Sequence, residues 1–359
     1  MRNSLLVLHR WVALVTSIVI LIVALTGSSL VFEGAIDRGL NPHLWRVTPA
    51  AAPLSLDTLA RRAQAAVPGA AITGFVVAQA DDRAYFVQAP PIQIFIDPYT
   101  AVVLGTRAQA DFNKSLPRRL HVLHTTLMAG DAGGTIVMIV TLAALLLTIS
   151  GVVLWWTDKL WRIRWSASWK RIVFDLHHAL GIAASLVLFT ITASGAVIHS
   201  RAAGDAIARL DARPRAAVPK QPATDSGARQ LSFDSLAQVA RGAIPGASLS
   251  LLSAPEKTTL PVVVALKFPE DRTPGGRSRV YVDRFRGTVL LAESSREAER
   301  GTAINNVMRS VHTGDLLGKP TEAVWLIAAL VLASQSISGF LMWWNGRGAR
   351  AALARKSPS

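Results

Sequence analysis

Residues 8–27, LHRWVALVTSIVILIVALTG, recur 168 positions later as residues 176–195, LHHALGIAASLVLFTITASG. A histidine opens each apolar run and a Thr-Gly or Ser-Gly pair closes it, from Leu8-His9 to Thr26-Gly27 and from Leu176-His177 to Ser194-Gly195. A second correspondence runs at an offset of 188. It pairs His124-Thr125 with His312-Thr313, Ser150-Gly151 with Ser338-Gly339, and Trp155-Trp156 with Trp343-Trp344. The chain is a tandem duplication of one module. Two such copies packed about a pseudo-two-fold axis present matching histidines to each other, which predicts two paired sites.

The solvent of that module is lipid. Hydrophobic residues make up 51% of the 359 and charged residues only 17%. Apolar runs near 11–32, 133–156, 178–198 and 324–344 approach or exceed the roughly 20 residues that cross hydrocarbon. The first follows Arg2 and Arg10 as a secretory signal would, but its length and its later copy make it a retained span. There is no cysteine, which excludes disulfides, iron–sulfur clusters, thiolate zinc sites and covalent c-type haem. Any redox centre must rest on histidine or be organic. Basic residues mark the cytoplasmic ends of spans: Arg2 and Arg10; Lys159, Arg162, Arg164, Lys170 and Arg171; Arg347, Arg350, Arg355 and Lys356. Both termini are therefore expected in the cytoplasm. With the same topology in both copies, the pseudo-symmetry axis runs along the membrane normal. The net charge of +15 follows this distribution and includes no basic run interleaved with aromatics, so nucleic acid is not an expected partner.

Between the spans the repeat continues. Leu54-Ser55-Leu56-Asp57-Thr58-Leu59 and Leu231-Ser232-Phe233-Asp234-Ser235-Leu236 each offer a serine cap and a first-turn aspartate. Val67-Pro68-Gly69-Ala70 and Ile244-Pro245-Gly246-Ala247 stop those helices. Strand-like runs follow at 74–79, 84–88, 92–96 and 101–104, then at 260–267, 278–282 and 288–291. Residues 213–229 read as a linker. The expected fold is an α-helical membrane protein: a four-helix transmembrane bundle from a tandem two-helix repeat, with two small extracytoplasmic α+β domains. Its expected parts are spans at 1–33, 121–157, 173–199 and 312–346, outer domains at 34–120 and 200–311, a cytoplasmic loop at 158–172 and a tail at 347–359.

Leu-His-Arg-Trp opening the first span, Thr-Gly near its far end, an outer unit closing on Asp97-Pro98-Tyr99-Thr100, Leu-His before span two and Ser-Gly-Val-Val-Leu-Trp-Trp at its exit together resemble the PepSY-associated membrane-helix family. The resemblance covers nearly the whole chain, twice. It implies that the outer domains are PepSY-like. It also implies kinship with bacterial inner-membrane ferrisiderophore reductases carrying two b-type haems, and hence an oxidoreductase in iron uptake.

On that reading, His9 and His177 are expected to ligate an inner haem, with His178 as the register alternative about 100° around the helix. His124 and His312 are expected to ligate an outer haem, with His199 as the competitor, although its counterpart is Val31. His121 and its counterpart Arg309 are possible propionate contacts. Gly27, Gly151, Gly195 and Gly339 would admit a neighbouring helix or a flat macrocycle, and the Trp pairs read as interfacial belts. Electrons would pass from a cytoplasmic reductase or membrane quinol to a ferric siderophore or other ferric chelate outside. The rival readings are a non-haem PepSY module that anchors or inhibits an extracytoplasmic partner, and a transporter subunit.

Overall fold

The computed structural model describes residues 2–213, 216–223 and 228–354, with side chains to residue 347. Arg355, Lys356 and parts of the 213–229 linker lie outside the described residues, as does the side chain of Arg350. In chain order, helix α1 (Arg2–Leu30) precedes α2 (Glu33–Leu40), α3 (Pro42–Trp45) and α4 (Leu56–Ala66). Strands β1 (Gly74–Val76), β2 (Tyr85–Ala89), β3 (Ile92–Ile96) and β4 (Val103–Ala108) follow, then α5 (Gln109–Lys114), α6 (Leu116–Thr126) and α7 (Gly130–Asp158). The second copy runs α8 (Trp169–His199), α9 (Arg201–Ala208), α10 (Phe233–Ala243), β5 (Ser248–Ser253), β6 (Val262–Lys267), β7 (Ser278–Val282), β8 (Val289–Glu293), α11 (Arg300–Thr313) and α12 (Lys319–Ala354).

These elements form two compact units. One holds residues 1–33, 117–205 and 308–359; the other holds 34–116 and 206–307. In the first, α1, α7, α8 and α12 are long and apolar enough to cross a membrane. Each of α1 and α8 packs on both α7 and α12, so the four close a ring in which the repeat exchanges α1 with α8 and α7 with α12. The burial pattern inverts that of a soluble bundle. Val15, Ile18, Leu146, Leu186 and Ile327 are exposed, whereas Thr16, Ala24, Ala144, Ala184, Ala328 and Ala333 are buried. Lipid solvates large aliphatic side chains, so small residues are what bring these backbones together.

The expected spans at 121–157 and 312–346 each prove to be two helices. Leu127, Met128 and Gly130 take positive φ between α6 and α7, and Gly314 and Gly318 do so between α11 and α12. Pro320 sits in the first turn of α12, where its missing N–H costs no hydrogen bond. His124 and His312 therefore lie in the last turns of α6 and α11, outside the four spans.

The second unit differs from the two separate domains expected. All eight strands form one antiparallel sheet, ordered β4-β3-β2-β1-β5-β6-β7-β8. The copies meet where β1 pairs with β5, Phe75 opposite Leu252. Helices α4 and α10 cover one core, setting Leu59, Ala63, Leu236 and Ala240 against Phe75, Val87, Ile94, Leu252, Val264 and Val280. Their N-termini are capped reciprocally. Asp234 accepts from the Leu56 and Asp57 amides at 2.8 and 3.1 Å, while Asp57 accepts from those of Phe233 and Asp234 at 2.9 and 3.4 Å. Ser55 and Ser232 cap their own helices as the sequence predicts.

Candidate functional site

Each of the four symmetry-paired histidines is seated on a small-residue dipeptide of a neighbouring span. His9 Nδ1 lies 2.8 Å from Ser150 Oγ, and its ring faces Gly151, where an added Cβ would stand 3.7 Å from Cε1. His177 repeats this with Ser338 at 2.8 Å and Gly339 at 3.5 Å. At the other end of the spans, His124 Nδ1 lies 2.9 Å from the Val23 carbonyl and His312 Nδ1 lies 2.9 Å from that of Ile191. Their rings press on Gly27 and Gly195 so closely that a Cβ there would come to 2.8 and 2.9 Å from Cε1. The glycines thus admit imidazoles rather than a neighbouring backbone.

The carbonyl contacts fix two of the tautomers. A carbonyl only accepts, so His124 and His312 carry their proton on Nδ1. Ser150 and Ser338 have one hydroxyl proton each, and the Leu147 and Ser334 carbonyls, 3.2 and 2.7 Å away, stand ready to accept it. With the hydroxyl protons on those carbonyls, each serine accepts from its histidine and Nδ1 of His9 and His177 is also the donor. All four keep Nε2 deprotonated and available as a ligand atom, the arrangement that outer-shell acceptors impose on metal-bound imidazoles.

The same logic sorts the alternates. His178 donates Nδ1–H to the Phe174 carbonyl at 2.8 Å and also keeps Nε2 free. His199 is reversed: its Nε2 donates to the Gly134 carbonyl at 2.9 Å, clasping α8 to α7 and engaging the nitrogen that the others leave open.

His124 and His312 face one another with ring centres 6.2 Å apart and planes inclined by 45°. Burial, and then the proximity of His312, holds the His124 imidazole down at about pKa 4, and burial also depresses His312. Both are neutral at neutral pH. His121 and Arg309 stand one helical turn earlier, each close enough to lower its neighbouring imidazole further.

The end of the bundle where α1 and α8 begin holds a cavity of about 380 Å³, within the ~300–1,000 Å³ typical of ligand sites. His9, His177 and His178 all line it, together with Arg10 and Gln335. The structure thus brings together both histidines that sequence spacing left as alternatives. The Trp pairs divide: Trp155 and Trp343 line the cavity, whereas Trp156 and Trp344 face outward as belt residues would.

Spacing did not single out Ser150, Ser338 or Gln335 as functional. The serines were visible as repeated residues without a role. Gln335 was visible as an amide in the middle of an apolar span. Among the described residues no three His, Cys, Asp or Glu side chains gather as a metal-binding set, so a metal held by either histidine pair needs further ligands from another source. The family described as the PepSY-associated TM region matches residues 6–345. No curated protein matches the sequence.

Proposed function

The chain belongs to the PepSY-associated transmembrane family, and from that premise we propose that it is a haem-dependent oxidoreductase of the bacterial inner membrane. It would pass single electrons across the bilayer to a ferric siderophore or other ferric chelate. The observation that carries this reading is the shared state of four symmetry-paired histidines, each with Nδ1–H satisfied and Nε2 free.

The spacing at the α6/α11 end suits the same role. His124 and His312 face one another with ring centres 6.2 Å apart, so the two side chains would hold one group between them. At the α1/α8 end, the cavity offers unpartnered buried donors beside its histidines. The donor set fits b-type haem at both places. When bound, haem supplies reversible one-electron chemistry at a potential set by ligands, burial and access.

His9 and His177 would hold the inner group, and His124 and His312 the outer. Ser150, Ser338 and the two carbonyls hold each imidazole in its ligating tautomer and raise its basicity. Arg118, Arg119 and Arg309, with His121, give the outer pair basic surroundings suited to carboxylates and to an anionic chelate. The basic span ends support a cytoplasmic α1/α8 end, where a separate reductase or membrane quinol would deliver electrons.

Absorption spectra of the purified protein, oxidised and then dithionite-reduced, with a pyridine haemochrome assay, test the reading. Two non-covalent, six-coordinate haems per chain are expected, extractable into acid acetone. One or none would overturn it, and a colourless protein would favour a non-haem anchoring module.

A further inference from the structure

The cavity at the α1/α8 end contains polar atoms that its histidines do not use. Arg10 reaches it from α1 and Gln335 from α12, and both Arg10 Nε and Gln335 Nε2 are buried without a hydrogen-bond partner. Both atoms are donors, and leaving a donor unpaired in apolar surroundings is costly. Asp158 is the one carboxylate among the described lining residues, and it is paired with Arg2. Arg10 lies over the Trp11 ring, 5.9 Å from its centre, and forms no ion pair among the described residues. The cavity therefore holds an uncompensated cation and a spare amide donor, and what completes it must bring acceptors and negative charge.

The fold does not require the amide. Gln335 packs over Gly181, with its Oε1 3.2 Å from where a Cβ would stand. That contact lies one helical turn from the neighbouring contact between His177 and Gly339. The corresponding positions in copy one are Leu147 and Ala13, so an aliphatic side chain fills the same place in the other half of the bundle. Gln335 is explained by what occupies the cavity rather than by helix packing.

We propose that Arg10 and Gln335 bind the carboxylates of the cavity's ligand. Resting on the proposed function, that ligand is the haem whose iron His9 and His177 hold. Phospholipid phosphate is the other source of an anionic acceptor, and the test separates the two.

Full-length protein from haem-limited cells is titrated in detergent with iron protoporphyrin IX and with its dimethyl ester, which keeps the iron and ring but lacks the acids. Soret absorbance reads occupancy. A charge-assisted hydrogen bond corresponds to roughly tenfold in affinity, so the α1/α8 site, read in a His124→Ala background that removes the outer site and its basic surroundings from the signal, should prefer the diacid by about tenfold or more. Gln335→Leu, which installs the copy-one residue, should reduce that preference, and Gln335→Leu with Arg10→Gln should abolish it. Equal binding of diacid and diester in that background with Arg10 and Gln335 intact, as expected if these side chains serve lipid phosphate, overturns the inference while leaving the haem reading intact. Preference retained in the double variant overturns it as well. Absence of any Soret change with either compound removes the proposed function, and the inference falls with it.

Discussion

A histidine can serve a ligand only through the nitrogen its neighbours leave free, and here those neighbours come from four short motifs. Ser150-Gly151 and Ser338-Gly339 supply an acceptor and a bare surface. Thr26-Gly27 and Ser194-Gly195 supply the surface, with a carbonyl of the same helix as acceptor. The motifs were legible as repeats at fixed offsets. Their role was not, because a repeat does not say which helix faces which. Three predictions belong at this scale, and their haem readouts rest on the proposed function. Gly27→Ala or Gly195→Ala drives a methyl group to within 3 Å of an imidazole, which should cost about 1–3 kcal/mol and perturb one haem spectrum. Gly151→Ala and Gly339→Ala should be tolerated, and melts followed at the Soret band compare the four. Ser150→Ala or Ser338→Ala strands an Nδ1–H and should weaken one haem by roughly 10- to 100-fold, read as faster transfer to apomyoglobin. If the protein holds two haems as proposed, His178→Ala should retain both; loss of one in this variant alone would move the ligand from residue 177 to residue 178.

Among the elements, the reciprocal caps make an unusual demand. The first turn of α4 belongs to copy one, yet the carboxylate that satisfies its amides belongs to copy two. Asp234→Ala should therefore deprotect the Leu56 and Asp57 amides, at a cost of roughly 1 kcal/mol. Hydrogen exchange confined to α10 would contradict this. Asp211 does comparable work for α11, accepting from the Gly301 and Thr302 amides and from the Thr302 hydroxyl. The Thr302 hydroxyl bond, more than the amides, holds its pKa below the ordinary 3.8. A depressed carboxylate stabilises the fold fully above its unfolded pKa and loses that contribution as pH falls through the folded value. The exchange difference between wild type and Asp211→Ala at Gly301 and Thr302 should thus persist at neutral pH, start to shrink only as pH falls below about 4, and vanish below the depressed folded value. Strand β3 and strand β7 were read from sequence with their observed bounds, because both are rich in β-branched and aromatic residues. Strand β5, SLSLLS, was missed because serine and leucine give no such signal. That omission hid the pairing that merges the two expected domains.

At the scale of the whole molecule, the tandem repeat made the four spans and the paired histidines readable, since periodicity and offset depend only on sequence. Closure of the sheet through β1 and β5 depends on partners far apart in the chain, and no local pattern announces it. The same pairing predicts how the chain behaves when divided. Cut in the 159–168 loop, neither half should be stable alone, since each leaves a sheet edge and two span faces uncovered. Co-expressed, the halves should copurify as one complex with the spectrum of the intact protein; recovery of either half as a folded monomer would contradict this. A single copy, made as an independent protein, would close the same ring and sheet only as a symmetric homodimer. In such an ancestor every substitution appears twice, and a polar residue welcome on one side of the axis is imposed on the other. A chain that carries both copies is free of that constraint. The chain now holds His178 opposite Arg10, Gln335 opposite Leu147 and His199 opposite Val31, differences that two identical subunits cannot hold.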